Sequence, residues 1–343
     1  MVLAQARELV RRGHKVDLVL IHSGGALLDL LPSEVRVIEF HRPRILSAIL
    51  PLVHYLRRNR PDALHAVMWP STIVAILAHG FARSNARLMI SDQVALSQQI
   101  RAPAQRALLG LTTRLLYPLA DFRIVCSLAA ADDNARIAHI RRDRFEVIYN
   151  PIDPPREVVS NAQAEALWGD AEERIITVGS LKDQKNHALL LRAFARLKDH
   201  PRARLTIIGE GSLRPELEQL ARDLGIDDRV AMPGFFLDPW PFLASAQLFV
   251  LSSDYEGFAN VVAEALYAGL QVVSTDCVAG PAEILDQGRY GTLVPVGSAE
   301  ALAIAMAEAL DAPSDPKVAR ARALQISGPH TVRRYAELLL GDA

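Results

Sequence analysis

Cysteine is scarce in this chain: only Cys126 and Cys277 occur among 343 residues, both in apolar, strand-like contexts. Two such thiols argue against a disulfide framework and fit a reducing compartment. No apolar run reaches the length of a bilayer span. The N-terminus has no apolar leader core, because Arg7, Glu8, Arg11 and Arg12 interrupt it. A cytoplasmic protein is the expectation. Net charge is only −1, so the chain as a whole carries no nucleic-acid signature. No Gly-x-Gly-x-x-Gly opens a helix after a strand, and no Walker A string or Asp-x-Asp occurs, which removes the usual dinucleotide and P-loop fingerprints. His14, His22, His41, His54, His65 and His79 show no metal-ligand spacing with cysteines or carboxylates. Neither a metal nor a cofactor is expected. The pair Asp132-Asp133 reads as a solvated helix start.

What is present is an ordinary globular balance, 50% apolar and 22% charged, over a length that suggests two domains of roughly 150 residues each. The charge is uneven. Residues 1–150 carry 20 Lys and Arg against 12 Asp and Glu, or +8, leaving 18 against 27, or −9, for the remainder. A basic front half beside an acidic back half points to different partners for the two.

In the second half, β-branched runs at 174–178, 205–208, 229–232, 248–251, 271–275 and 291–296 alternate with helical stretches at 186–198, 213–224, 238–245, 260–268, 281–286 and 298–310. Gly225 and Gly269 stand where a helix end favours a left-handed residue. Six alternations imply a parallel sheet covered on both faces. The first half repeats the theme, with strand-like runs at 16–21, 35–40, 63–68, 87–91, 122–127 and 145–149. Between the halves, Pro151-Ile152-Asp153-Pro154-Pro155 holds three prolines in five residues. Such a segment continues neither a helix nor a central strand and reads as a linker. The fold class is therefore α/β, with two Rossmann-like domains in tandem, and ligands are expected outside the carboxyl ends of the strands.

The string from Leu251 to Leu266 carries the sharpest chemistry. A strand ends near Ser252, a short loop holds Glu256 and Gly257, and a helix starts near Ala259. The amides of Phe258, Ala259, Asn260 and Val261 belong to the helix start, a ready anion site. Gly257 allows a tight turn and a close backbone approach. Glu264 lies one turn into the helix, too far from Glu256 to serve the same atoms, so the two carboxylates suit different parts of one long ligand. Upstream, Val178-Gly179-Ser180-Leu181 leads from a strand through a turn to Lys185, a compact cation suited to phosphate. The strand-end loops around Gly209-Glu210-Gly211 and Met232-Pro233-Gly234 belong to the same sheet edge.

Taken together, the Glu256/Glu264 string, the run Gly269 to Asp276 and Gly280-Pro281-Ala282-Glu283 resemble family 4 of the retaining glycosyltransferases, whose hallmark is a Glu, seven residues, then Glu. The family usually has Pro where this chain has Gln271. The first half is similar to the family at residues 9–16, 125–127 and 148–153. The resemblance implies a GT-B fold, with an acceptor domain over 1–152, a nucleotide-sugar donor domain over 153–326, the two facing across a cleft, and a C-terminal helix over 327–343 packing back on the first domain. It implies that Glu256 faces the donor sugar and phosphates, Glu264 binds the ribose hydroxyls, and the amides of Phe258 to Val261 face the pyrophosphate. Lys185, behind the Gly179-Ser180 turn, would neutralise the leaving diphosphate. Ser180 stands where an arginine is common. Met232 and Pro233 would hold the nucleobase through backbone groups.

The implied activity is transfer of a sugar from a nucleotide-diphosphate-sugar to a glycan or lipid-linked acceptor hydroxyl, with configuration retained, in polysaccharide or glycolipid assembly. An amphipathic stretch from Arg101 to Arg114, with Arg106, Leu108, Leu109, Leu111 and Leu115, adds the expectation of peripheral binding to an anionic membrane. Family members begin with a strand and a Gly-rich loop ahead of the helix that ends at Arg12-Gly13-His14. This chain opens inside that helix, so its first domain is expected to lack that strand and loop. The alternatives are a nucleotide-sugar binder without transfer activity, separated by a transfer assay, and a nucleotide-sugar epimerase, separated by product analysis without acceptor.

Overall fold

The computed structural model describes residues 1–22, 24, 28–99, 102–155, 157–312 and 315–341. They form two compact units, 1–151 with 329–343 and 152–328.

In the first unit, Val2–Arg11 is a helix whose Glu8 pairs with both Arg11 and Arg12 at 2.7 and 2.8 Å. Strand β1 (Asp17–Leu20) pairs in parallel with β2 (Arg36–Glu39) and, among the described residues, with no other strand. Strands β3 (Ala63–Val67), β4 (Arg87–Asp92), β5 (Phe122–Val125) and β6 (Glu146–Val147) form a separate parallel sheet in that order. Helices at Ile49–Asn59 and Ser71–Ala82 bury Leu52, Val53, Leu56, Val74 and Ala75 in one cluster that also touches Ile21 and Phe40 beside the first sheet and Leu64 and Ala66 of β3. The two sheets thus share a core while β1 and β3 stay unbonded to each other, each half-buried along its whole length. The helix Pro329–Leu340 returns to this unit and buries Tyr335, Leu338 and Leu339 against Met89, Ile124 and Ile148.

Two sequence expectations need correcting here. Asp132 and Asp133 lie inside the helix Leu128–Ala138, which Ser127 caps. Asp132 is solvated as expected, but Asp133 is mostly enclosed and accepts the Ser97 amide at 2.8 Å, so it ties two segments together. Leu109 belongs to the core, fully buried, because the helix Pro103–Leu116 turns that side toward Ile73, Ile76 and Ile90. Its outward stripe consists of Leu108, Leu111 and Leu115. Arg101 lies outside the described residues.

The second unit is a six-stranded parallel sheet of β7 (Glu173–Val178), β8 (Ala203–Ile208), β9 (Val230–Gly234), β10 (Leu248–Leu251), β11 (Gln271–Thr275) and β12 (Thr292–Val294), ordered β12-β11-β10-β7-β8-β9. That is the doubly wound order, whose direction of winding reverses between β7 and β10. Gly225 and Gly269 take φ of 64° and 89° just past their helices, the left-handed geometry that closes a helix end. Gln271 opens β11, and its side-chain amide donates to the carbonyls of Ala309 and Ala312, both at 2.6 Å. It supplies donors to the end of the helix Ala299–Asp311 that proline could not. Leu189, Leu190, Leu205, Ile207, Val250, Val273 and Met306 fill one core face.

Candidate active site

The reversal point between β7 and β10 is where an open parallel sheet leaves a crevice, since successive helices there leave toward opposite faces. Lys185 follows β7 and Glu256 follows β10. Lys185 Nζ meets Glu256 Oε1 at 2.6 Å, both largely enclosed. Ser253 Oγ donates to the same oxygen at 2.6 Å. A salt bridge this sheltered is costly to leave half-made, so the pair is stable only with both charges or with a ligand that replaces one of them.

Other contacts lock the two loops together. Ser252 Oγ donates to the Lys185 carbonyl at 2.9 Å, Gln184 Nε2 to the Tyr255 carbonyl at 2.9 Å, and Asn186 Nδ2 to Asp254 Oδ1 at 2.8 Å. Asp254 N donates to the Gln184 carbonyl at 2.9 Å. On the other side, Thr275 Oγ1 at the end of β11 donates to the Ser253 carbonyl at 2.6 Å. Sequence reading missed these cross-ties. The one trace of them in the sequence was a pair of serines at a strand end, Ser252-Ser253, followed at once by the glutamate loop.

Backbone hydrogen bonds hold the Gly179-Ser180 turn against the next strand-end loop. Gly179 N donates to the Ile208 carbonyl and Leu181 N to the Glu210 carbonyl, each at 2.9 Å. A Cβ on Gly209 would stand 2.0 Å from the Gly179 oxygen, and one on Gly211 would stand 2.2 Å from the Leu181 oxygen. The two strand-end loops are therefore pressed together as only glycine allows. His187 begins the next helix, buried. Burial pulls its imidazole down to about 4, so it is neutral at physiological pH.

The helix after Glu256 spans Asn260–Ala268. The left-handed residue of that loop is Ala259, at φ 61°, and not Gly257. The sharp turn is made at the last residue before the helix, with Phe258 and Ala259 both buried. Gly280 supports it from below: a Cβ there would stand 2.5 Å from the Phe258 oxygen. Val261 and Glu264 follow on the helix, Glu264 half-buried on its second turn. Burial raises the Glu264 carboxyl to about 7, with the Lys185 charge opposing the shift.

Met232 and Pro233 lie in β9, two strands along the sheet from β7. Met232 packs partly on the core, and its carbonyl already accepts Arg214 Nη1 at 2.9 Å. The structure thus brings together Gly179, Ser180, Lys185, Glu256 and the residues from Gly257 to Glu264, and leaves Met232 and Pro233 on a separate strand. Among the described residues no group of His, Cys, Asp and Glu has the arrangement to hold a metal ion.

A family model described as "Glycosyl transferases group 1" matches residues 158–325, and one described as "Glycosyltransferase Family 4" matches residues 1–156. A Campylobacter jejuni protein named N-acetylgalactosamine-N,N'-diacetylbacillosaminyl-diphospho-undecaprenol 4-alpha-N-acetylgalactosaminyltransferase is 37% identical over 184 residues, which is 53% of this chain and 48% of that protein. The lipopolysaccharide core biosynthesis glycosyltransferase LpsE of Rhizobium meliloti is 37% identical over 38% of each chain. The matched stretch thus spans half or less of these two relatives. Among solved structures, HepE of Anabaena, in complex with UDP and glucose, superposes with a TM-score of 0.83 at 21% identity, over 100% of this chain and 95% of that one. Sucrose-phosphate synthase of Thermosynechococcus elongatus superposes with the same TM-score at 19% identity, over 100% and 93%.

Proposed function

The chain belongs to the GT-B glycosyltransferases, and from that premise we propose that it transfers a sugar from a nucleotide-diphosphate-sugar to an acceptor hydroxyl with retention of configuration. The observation that carries this reading is the Lys185–Glu256 pair at the reversal point of the second unit's sheet. A diphosphate entering there meets a lysine ammonium and a helix start, and it displaces the glutamate as the lysine's partner. The leaving diphosphate is then stabilised electrostatically as its charge grows, and Glu256, freed from the lysine, faces the donor sugar. Glu264 takes the ribose hydroxyls. The leaving phosphate oxygen accepts the acceptor's proton, so no protein nucleophile is required. No cofactor takes part.

The acceptor we infer is a glycan on a lipid carrier. The Campylobacter relative's name describes a diphospho-undecaprenol acceptor. In this chain Leu108, Leu111, Leu115 and Leu119 stand 51, 57, 62 and 64% exposed along one helix and its extension, with Arg106 and Arg114 exposed beside them. An apolar stripe flanked by arginines in a half of charge +8 suits an anionic membrane surface. Among the described residues no helix is long and apolar enough to cross a membrane.

We also infer that the first unit is completed by one more parallel strand between β1 and β3. The doubly wound order carries a strand at that place, and the two sheets part there while sharing a core. The same unit buries Gln5 Nε2, which meets no hydrogen-bond partner among the described residues, and that is costly.

A thermal-shift panel of UDP, GDP and their sugars, followed by transfer to lipid-linked glycans and determination of the product's anomeric configuration, tests the function. A stabilising nucleotide and a product of retained configuration are expected. Inverted product overturns the retaining assignment, and epimerised donor without acceptor transfers the reading to an epimerase.

A further inference from the structure

We propose that Ser253 is a positioning residue for the donor sugar, its hydroxyl clamping one oxygen of the Glu256 carboxylate so that the other is presented to the sugar. This rests on the donor-site reading above. Ser253 is fully buried, and its Oγ lies 2.6 Å from Glu256 Oε1. Lys185 Nζ reaches the same oxygen, also at 2.6 Å. Among the described residues no hydrogen bond reaches Oε2. Both donors therefore converge on one oxygen and orient the other.

The two donors differ in what a ligand does to them. A diphosphate competes for the lysine, because phosphate oxygens and the carboxylate seek the same ammonium. The serine is out of a ligand's reach and stays on Oε1. Its backbone is fixed from β11 by the Thr275 hydroxyl, which donates to the Ser253 carbonyl at 2.6 Å. Ser253 is then the remaining side-chain donor on Oε1 while Lys185 is on the diphosphate. Without it the carboxylate follows the departing lysine or rotates, and a hydrogen bond from Oε2 to a sugar hydroxyl is lost. The binding of a bare nucleoside diphosphate, which makes no such bond, is unaffected.

The test uses the whole chain and equilibrium titration of UDP against UDP-glucose, or GDP against GDP-mannose if guanine is the base selected by the thermal-shift panel. For Ser253→Ala the expected result is diphosphate affinity within about twofold of the unaltered protein and sugar-nucleotide affinity about tenfold weaker, the scale of a hydrogen bond to a charged group. Ser253→Cys keeps the volume but is a weak donor and should behave as the alanine variant does. Ser253→Thr keeps the hydroxyl and should restore the sugar nucleotide. Equal losses for both ligands, or no loss for either, overturn the clamp. A protein that prefers the sugar nucleotide to the diphosphate but transfers nothing overturns the transfer reading, and the Ser253 variants still decide the clamp by binding alone.

Discussion

At the scale of single residues, the site depends on a charge pair and on places where a side chain would not fit. Lys185→Ala should weaken nucleoside diphosphate binding by at least about tenfold while leaving the bare nucleoside nearly unaffected, because the lost charge faces phosphate. Glu264→Ala should weaken both, since ribose is common to the two ligands. Calorimetric titration with each ligand reads the difference, and equal losses in the lysine variant contradict the phosphate role. Gly280→Ala should be among the more damaging small changes. Its Cβ would stand 2.5 Å from the Phe258 oxygen at a φ of 98°. We expect a loss of about 2–3 kcal/mol in urea unfolding together with weaker diphosphate binding, because Phe258 precedes the helix start.

Much of the site was legible at this scale, for a physical reason. Lys185 and Glu256 follow strand ends, where an open parallel sheet takes its ligands, and the strings that hold them and Glu264 resemble the motifs of a known family. Ser253 was not legible, because a serine at a strand end looks the same whether it faces water or a carboxylate. Ala259 was missed because left-handed backbone is written in sequence as glycine, and here an alanine takes it while Gly257 beside it does not.

Between single residues and the whole fold, elements carry their own chemistry. At the end of β4, Asp92 is buried and accepts from Tyr117 Oη at 3.0 Å and Asn134 Nδ2 at 3.1 Å. Burial raises its carboxyl to about 7, against the pull of the Tyr117 hydrogen bond and a backbone bond at Trp69. A carboxyl raised in the folded state adds its full stability below its ordinary value and loses it as pH rises through the folded value. The first unit should therefore lose about 2–3 kcal/mol from this group between pH 5 and pH 8. Asp92→Asn, which keeps an acceptor, should flatten that dependence in thermal melts; an unchanged pH profile in the variant contradicts this account. The helix Pro103–Leu116 shows how an element is half-legible. Its leucine pattern was readable as amphipathic, but periodicity alone does not say which leucines face the core, and Leu109 went inward while Leu108, Leu111 and Leu115 remained outside. Replacing Leu111 and Leu115 by serine should abolish flotation with anionic liposomes and leave the melting temperature nearly unchanged. A variant that floats like the unaltered protein removes this helix from the membrane contact.

For the molecule as a whole, the second unit follows the doubly wound plan strand for strand, and its six β-branched runs made that readable. The first unit does not, because its sheet parts between β1 and β3. An open strand edge on each side of a shared core is a source of instability. Extending the chain upstream by about 15 residues, a strand and a short loop, should raise both the melting temperature and sugar transfer. Equal stability and activity with and without the extension would contradict the added strand.

A nucleoside diphosphate should bind in the second unit where the β7 and β10 loops meet, held by Lys185, and titrating the chain and its Lys185→Ala variant with UDP, GDP and ADP measures this. One diphosphate should bind the unaltered chain with a Kd on the order of micromolar, about −8 kcal/mol, and the variant at least about tenfold more weakly. Binding of none of the three, or binding that survives loss of the lysine unchanged, contradicts it.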